Sequence, residues 1–164
     1  MDRLTRPVIW LTALASLGSF QPLQAQHSLS IKPADLIVAG VPDRAEASDV
    51  ERLLGRPDSV TRGDDPSESS GNLAAWWYRD LEILFLGDGE LLGSWIRGPS
   101  RSTSRGLRVG QSRRQAQMLY GTPLERGTDT TATYVLEQKE GTPRVIVYFS
   151  KGRVSSIYIG STVE

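Results

Sequence analysis

The 164-residue chain contains no cysteine and a single histidine, His27. Without cysteine, a disulfide framework, a zinc site of the Cys/His type and a lipid anchor attached through cysteine are all excluded. Nucleophilic mechanisms that use a thiol or a histidine base lack their reactive groups as well. The sequence therefore predicts that the protein is not an enzyme, with no catalytic residue, no metal site and no cofactor.

The chain also lacks an excess of charge of either sign, because 19 basic residues balance 19 acidic ones. This balance predicts no nucleic-acid partner. The charges are unevenly spread, since six arginines between positions 97 and 114 follow one another without an acid. They belong either to a solvated, serine-rich linker or to a basic patch that meets an acidic partner or the acidic first half of the chain. These residues are Arg97, Arg101, Arg105, Arg108, Arg113 and Arg114.

Long hydrophobic runs are absent apart from one at the N-terminus, which has the layout of a secretory signal peptide. Arg3 and Arg6 precede an uncharged run from Val8 to Phe20, and Ala25 is a small residue suited to cleavage. The run is short for a membrane span. We predict that residues 1–25 are a signal peptide cleaved near Ala25 and that the protein is exported to the periplasm or beyond. A retained N-terminal anchor is the alternative, and contact with a membrane stays open.

What the sequence does contain is a segment that occurs twice. Val50–Pro57 (VERLLGRP) returns as Ala116–Pro123 (AQMLYGTP). In each copy a glycine, Gly55 or Gly121, stands where the end of a helix requires a left-handed residue, and the proline two residues later prevents the helix from continuing. Each segment therefore predicts the end of a helix.

The helix starts are predicted from capping residues. Asp43 is followed three residues later by Glu46, and Ser112 is followed three residues later by Gln115. A short polar residue with Glu or Gln at the third following position is the pattern of a capping box. The sequence thus predicts one helix that begins after Asp43 and a second that begins after Ser112.

Apolar, strand-like segments bounded by turn residues follow each helix. They cover residues 73–78, 81–86, 91–96, 132–137, 143–150 and 153–159. A short helix followed by an antiparallel β-meander, found twice, predicts an α+β fold built as a tandem repeat, with the helices on one face of the sheet. The predicted organisation is a flexible lead-in at 26–36, a first repeat at 37–98, a linker at 99–106 and a second repeat at 107–161. Whether the repeats form one domain or two stays open.

The second repeat contains Gly110-Gln111-Ser112 with Ala116, then Leu119–Pro123, and then apolar strands that end at Phe149, Gly152 and Val154. This pattern resembles the SmpA/OmlA (BamE-type) outer-membrane assembly family. The first repeat keeps Leu54–Pro57, Trp76, Tyr78, Phe85 and Gly89. The whole is also similar to the tandem units of β-lactamase-inhibitory proteins. The resemblance implies a helix-plus-antiparallel-sheet fold and a role in binding envelope proteins or inhibiting an exported enzyme. SmpA/OmlA proteins are typically lipoproteins, whereas this chain has no cysteine.

Aromatic residues on the predicted strands are the strongest indication of a binding site. Neighbouring residues of a strand point to opposite faces of a sheet. We predict that Trp77, Trp95, Tyr148 and Tyr158 share the face away from the helices and that Phe85, Val147 and Phe149 face the helices. Exposed Trp and Tyr are typical of protein-binding surfaces. The alternative is that both faces are buried, by packing of one repeat on the other or by a dimer.

These observations predict an exported, non-catalytic binding or scaffold module that contacts a protein partner in the cell envelope or the extracellular space. Two alternatives are binding of a cell-wall glycan or a lipid, and inhibition of an exported enzyme. A hydrolase that uses a pair of carboxylates is a further, minor alternative, since Asp and Glu are plentiful.

Overall fold

A computed structural model describes residues 31–63, 73–87, 89–124, 129–136 and 142–161. The predicted signal peptide, with Ala25, and His27 lie outside these residues. The helices are a 3₁₀ helix Pro33–Leu36, α1 Ala47–Leu54 and α2 Arg113–Tyr120. The strands are β1 Ser59–Gly63, β2 Leu73–Tyr78, β3 Leu81–Leu86, β4 Glu90–Ile96, β5 Thr131–Val135, β6 Arg144–Ser150 and β7 Arg153–Gly160. No helix within the described ranges has the length and apolar character needed to cross a membrane.

The seven strands form one antiparallel sheet in the order β1-β2-β3-β4-β7-β6-β5. The first and second halves of the chain meet where β4 pairs with β7, so that Gly93 lies opposite Gly160 and Trp95 opposite Tyr158. Successive strands within each half are joined as antiparallel neighbours. The predicted α+β class with antiparallel meanders is confirmed, and both halves contribute to one continuous sheet.

All six predicted strands are present, with ends that differ by at most two residues. The seventh strand, β1, was not predicted. Its sequence, Ser59-Val60-Thr61-Arg62-Gly63, contains one apolar residue, and all five residues are exposed. A strand at the edge of a sheet with both faces near water needs no alternation of polar and apolar residues, so the usual sequence signal is missing.

The predicted cap of α2 is confirmed and that of α1 is wrong. The Ser112 hydroxyl accepts a hydrogen bond from the Gln115 backbone N–H at 3.3 Å, and the Gln115 side chain accepts one from the Ser112 backbone N–H at 2.8 Å. The N-cap of α1 is Glu46 rather than Asp43, and its side chain makes no capping bond. Glu46 forms an isolated β-bridge with Glu90 of β4, which keeps its backbone extended and delays the start of the helix.

Both helices end at the predicted glycines. Gly55 has φ 80° and ψ −172°, and Gly121 has φ 79° and ψ −152°. This combination of a positive φ with an extended ψ is accessible almost only to glycine. A Cβ on Gly55 would meet no atom within 4 Å, so the backbone conformation, and not a lack of space, requires glycine there.

Hydrophobic residues from both helices and from one face of the sheet form a single core. Val50 of α1 and Tyr120 of α2 are fully buried in it. The Tyr120 ring lies 5.1 Å from the ring of Tyr134 on β5. At the end of α1, the Tyr78 hydroxyl donates to the Gly55 carbonyl oxygen at 3.1 Å. Both helices thus pack on the same face of the sheet, which we call the core face. The predicted helix-facing residues, Phe85, Val147 and Phe149, are buried in this core.

The described parts of the lead-in and the linker are packed rather than loose. Ile31 and Leu36 are buried in the core, and Thr103 of the linker pairs with Val38 in a β-bridge. An ion pair between residues 70 positions apart also joins the two segments: Arg105 Nε donates a hydrogen bond to Asp35 Oδ1 at 2.8 Å. Apolar burial and this ion pair hold both segments against the core, while four of the eight linker residues stay exposed, Pro99, Ser100, Ser104 and Gly106.

Candidate functional site

The candidate site lies on the face of the sheet opposite the core face, which we call the outer face. Residues directly opposite each other on paired strands project to the same face. One such row crosses the whole sheet as Ser59, Trp77, Glu82, Trp95, Tyr158, Ile146 and Thr133. Tyr148 follows Ile146 by two residues on β6 and shares its face. The prediction that the four aromatic site residues share the face away from the helices is confirmed.

Three of these residues form an aromatic cluster centred on Trp95. The Trp95 ring lies 5.3 Å from that of Tyr148 and 5.1 Å from that of Tyr158. Tilted ring pairs at this spacing are favourable beyond the area that they bury. Trp77 stands apart from the cluster, with Glu82 between it and Trp95 in the row, and its indole N–H donates to the Thr61 hydroxyl at 3.1 Å.

The four aromatic residues differ in exposure. Trp77, Trp95 and Tyr148 are partly exposed, whereas Tyr158 is only 6% exposed. The expected exposure of Tyr158 is therefore wrong, and its ring forms the floor of the aromatic cluster. Trp95 and Tyr148 are the members of the cluster that a partner could reach.

Two glycines at the centre of the sheet explain the burial of Tyr158. Gly93 and Gly160 lie opposite each other on β4 and β7, and neither carries a side chain that would fill this part of the outer face. The Tyr158 ring lies over Gly93 so closely that a Cβ there would be 2.5 Å from the phenol oxygen. The hydroxyl donates to the Ser161 carbonyl oxygen and lies 3.4 Å from that of Leu92. Burial raises the pKa of Tyr158 to about 12, so the phenol stays a neutral donor near neutral pH.

A buried glutamate beside the aromatic cluster was missed by the sequence analysis. Glu82 is 6% exposed although it projects from the outer face. Arg97 donates to Glu82 Oε2 from Nε at 2.9 Å and from one terminal nitrogen at 2.6 Å. The Arg97 guanidinium also lies over the Trp95 ring, 4.0 Å from its centroid. Glu82 is the single charge within an apolar strand, which was the available signal, but its partner depends on the pairing of β3 with β4.

A second missed residue is Arg144, at the start of β6. It lies opposite Gly160 of β7 and Val135 of β5, and two residues along the strand Ile146 lies opposite Tyr158. Its Nε is buried without a hydrogen-bond partner. Its guanidinium also makes no ion pair within the part of the chain that the structure describes. A buried N–H donor without an acceptor costs free energy, so this side chain is poised to gain a partner.

A cleft of 770 Å³ lies beside the N-terminus of α1, and its lining includes the carboxylates of Asp43, Glu46 and Glu90. The lining also includes Pro143 and Ser161, the chain neighbours of Arg144 and Gly160. Glu46 and Glu90 are exposed, and Asp43 is partly exposed. Across the described ranges, no three Asp, Glu, His or Cys side chains come together in a way that could hold a metal ion.

Comparison of the chain with protein-family models, with curated proteins and with solved structures gives no match.

Proposed function

We propose that this chain is an exported, non-catalytic binding module that contacts a protein partner through the outer face of its sheet. The observation that carries the proposal is the partly exposed aromatic cluster around Trp95, on the face that neither α-helix covers. Export is supported by the signal-peptide pattern of residues 1–25, and a partner in the cell envelope or outside it follows from export.

The composition of the outer face supports a protein partner. Trp, Tyr and Arg are the residues most enriched where truncation to alanine weakens a protein–protein interface. The outer face holds all three types, as Trp77, Trp95, Tyr148 and Arg97. Trp and Tyr bury a large area while few rotatable bonds become fixed, which keeps the entropic cost of binding low.

The packing around Trp95 favours a protein partner over a cell-wall glycan. A sugar would need a flat ring face that is free of other groups. The Trp95 ring is contacted by Tyr148, by Tyr158 and, at 4.0 Å from its centroid, by the Arg97 guanidinium. These contacts leave an irregular surface of ring edges and a cation, which suits protein side chains better than a sugar.

The repeated helix ends and the order of the strands support an origin of the fold as a tandem repeat. Each half supplies a helix that ends at a glycine with positive φ, and then a meander whose last strand lies at the centre of the sheet. The order β2-β3-β4 is met by β7-β6-β5, as expected if two copies joined through their last strands. This arrangement gives a broad outer face suited to a scaffold or to an inhibitor of an exported enzyme.

The test is capture of a partner from an envelope extract, identification of that protein, and measurement of its affinity with purified components. We expect Trp95→Ala to weaken binding by about thirty-fold or more, because truncation of a central aromatic residue typically costs about 2 kcal/mol or more. Trp77→Ala should weaken binding to a lesser extent. The matched control is Met118→Ala, since Met118 is 64% exposed on α2, remote from the outer face.

Unchanged affinity of both tryptophan variants, with an unchanged circular dichroism spectrum, would contradict the proposal. Retention of the wild type on a cell-wall column, lost in Trp95→Ala, would instead support the glycan alternative.

A further inference from the structure

We infer that the partner presents an acidic segment, with a carboxylate that binds the guanidinium of Arg144 beside the aromatic cluster. The inference rests on the proposed function, because it names the chemistry of the partner that the outer face takes. Its basis is the Nε of Arg144, which has no hydrogen-bond partner among the described residues. This atom lies next to the aromatic cluster, where Arg97 already neutralises Glu82.

Arg144 lies close enough to the aromatic cluster for one partner segment to contact both. On β6 it is two residues from Ile146, which lies directly opposite Tyr158. Its charge also acts on Tyr158, since it opposes the effect of burial on the pKa of that phenol. Between Arg144 and the first half of the sheet, Gly160 and Gly93 carry no side chains. The Tyr158 ring lies over these glycines, so the partly exposed Arg144 and the aromatic cluster border each other on the outer face.

The charges of the outer face indicate the sign of the partner. Glu82 is the one acid in the row through Trp95, and Arg97 neutralises it in an ion pair. Arg144 has no such partner among the described residues, and its side chain is partly exposed beside the aromatic cluster. An arginine binds a carboxylate through two parallel hydrogen bonds, one of which uses Nε in the side-on geometry. Among the described residues, the Nε of Arg144 has no acceptor of its own.

The same observations favour an acidic protein segment over an anionic membrane or a nucleic acid. Binding to either of those surfaces depends on many basic residues that act together. Here the net charge of the chain is zero, and Arg97 is committed to Glu82. One free guanidinium beside aromatic rings matches a single acidic side chain flanked by apolar ones.

The experiment uses a phage library of short random peptides, selected for binding to the wild-type protein and then depleted on Trp95→Ala. We expect the remaining peptides to be enriched in Asp or Glu next to aromatic or aliphatic residues. Their affinity should fall by about ten- to a hundred-fold in Arg144→Gln, the range expected for loss of a charged hydrogen bond. The affinity of Arg144→Lys for these peptides should lie between those of the wild type and Arg144→Gln, because lysine keeps the charge but lacks the planar pair of donors. The matched control is Arg56→Gln, an exposed arginine near the end of α1 whose side chain is 92% exposed.

Arg144→Gln should fold as the wild type does, since no hydrogen bond or ion pair of the described residues is lost. Thermal unfolding of each variant checks this point. Peptides that depend on Trp95 but show no acidic enrichment, or that bind Arg144→Gln as tightly as the wild type, would overturn the inference and leave the proposed function standing. Recovery of no Trp95-dependent peptide would overturn both.

Discussion

The substitution Asp35→Asn should destabilise the protein strongly, because it breaks a buried ion pair. The Asp35 carboxylate accepts hydrogen bonds from the Lys32 backbone N–H at 2.7 Å and from the Ser104 hydroxyl at 3.1 Å. It also accepts two from Arg105, at 2.8 and 2.5 Å. Arg105 in turn donates to the Leu119 carbonyl oxygen at the end of α2, at 3.0 Å. The pair therefore ties the 3₁₀ helix, the linker and α2 together.

The magnitude follows from burial. The side chains of Asp35 and Arg105 are 7% and 17% exposed. Removing one partner of a buried ion pair costs about 3–5 kcal/mol, because the other charge is left without compensation. Asn keeps one acceptor but turns an NH₂ group toward donors, so we expect a loss of about 3 kcal/mol at pH 7. For a domain of this size, that corresponds to a fall in Tm of roughly 10 °C.

The pH dependence has a definite sign. Burial alone would raise the pKa of Asp35, but the hydrogen bonds and charge of Arg105, with the Lys32 N–H and the Ser104 hydroxyl, hold it below its ordinary value of 3.8. The folded-state pKa is thus lower than the unfolded one. The stability from this carboxylate is fully present above pH 3.8 and is lost as the pH falls through the folded-state pKa. The difference between wild type and Asp35→Asn should therefore shrink in strong acid.

Urea unfolding followed by tryptophan fluorescence, at pH 7 and at a series of acidic values, measures both effects. The matched control is Asp49→Asn, which breaks an exposed i,i+3 pair with Arg52 whose side chains are 46% and 69% exposed. Pairs of that kind contribute about 0–1 kcal/mol. A loss below about 1 kcal/mol for Asp35→Asn would refute the reasoning about burial. A loss that stays constant into strong acid would refute the assignment of the effect to the ionised carboxylate.

Two further changes test the local arguments. Gly93→Ala should displace the Tyr158 ring, because the new Cβ would lie 2.5 Å from the phenol oxygen. We expect a changed near-UV circular dichroism spectrum and a loss of about 1–3 kcal/mol in the free energy of unfolding. Gly63→Ala, where the nearest atom to a Cβ is 3.9 Å away, is its control, and an equal loss there would contradict the steric argument. Ser112→Ala should cost about 1 kcal/mol in urea unfolding, since it removes the cap of α2. The control is Glu46→Ala, because the Glu46 side chain makes no capping bond at the start of α1. This substitution should change the free energy of unfolding by less than about 0.5 kcal/mol. Equal losses for Ser112→Ala and Glu46→Ala would show that the capping bond does not stabilise α2.

The strands and helix ends could be predicted from the sequence because their signals are local. Apolar runs bounded by turn residues located β2 and β3 to the residue, and a glycine followed two residues later by proline located the ends of both helices. The predicted placement of Phe85 and Trp95 on opposite faces of the sheet agrees with the observed pairing of β3 with β4. These features depend on residues within one turn or one strand, where steric rules act directly.

Interactions across long stretches of sequence could not be predicted. The pairing of Asp35 with Arg105 joins residues 70 positions apart, so the acid looked like part of a loose polar lead-in and the arginine like part of a solvated linker. The burial of Tyr158 depends on Gly93, which is opposite Gly160 only because β4 pairs with β7 in one particular register. A register between distant strands is fixed by the packing of the whole sheet, and no local pattern encodes it.

The pairing of β4 with β7 connects the fold to the candidate site. Trp95 comes from the first half of the chain, and Tyr148 and Tyr158 come from the second, yet they form one aromatic cluster. The four residue pairs between Gly93–Ile96 and Ile157–Gly160 hold those halves in register. Either half alone would present only part of the cluster and would expose the central strand of the sheet as an edge. The proposed binding face therefore requires both halves to be joined, and the partner would recognise a surface that neither half possesses by itself.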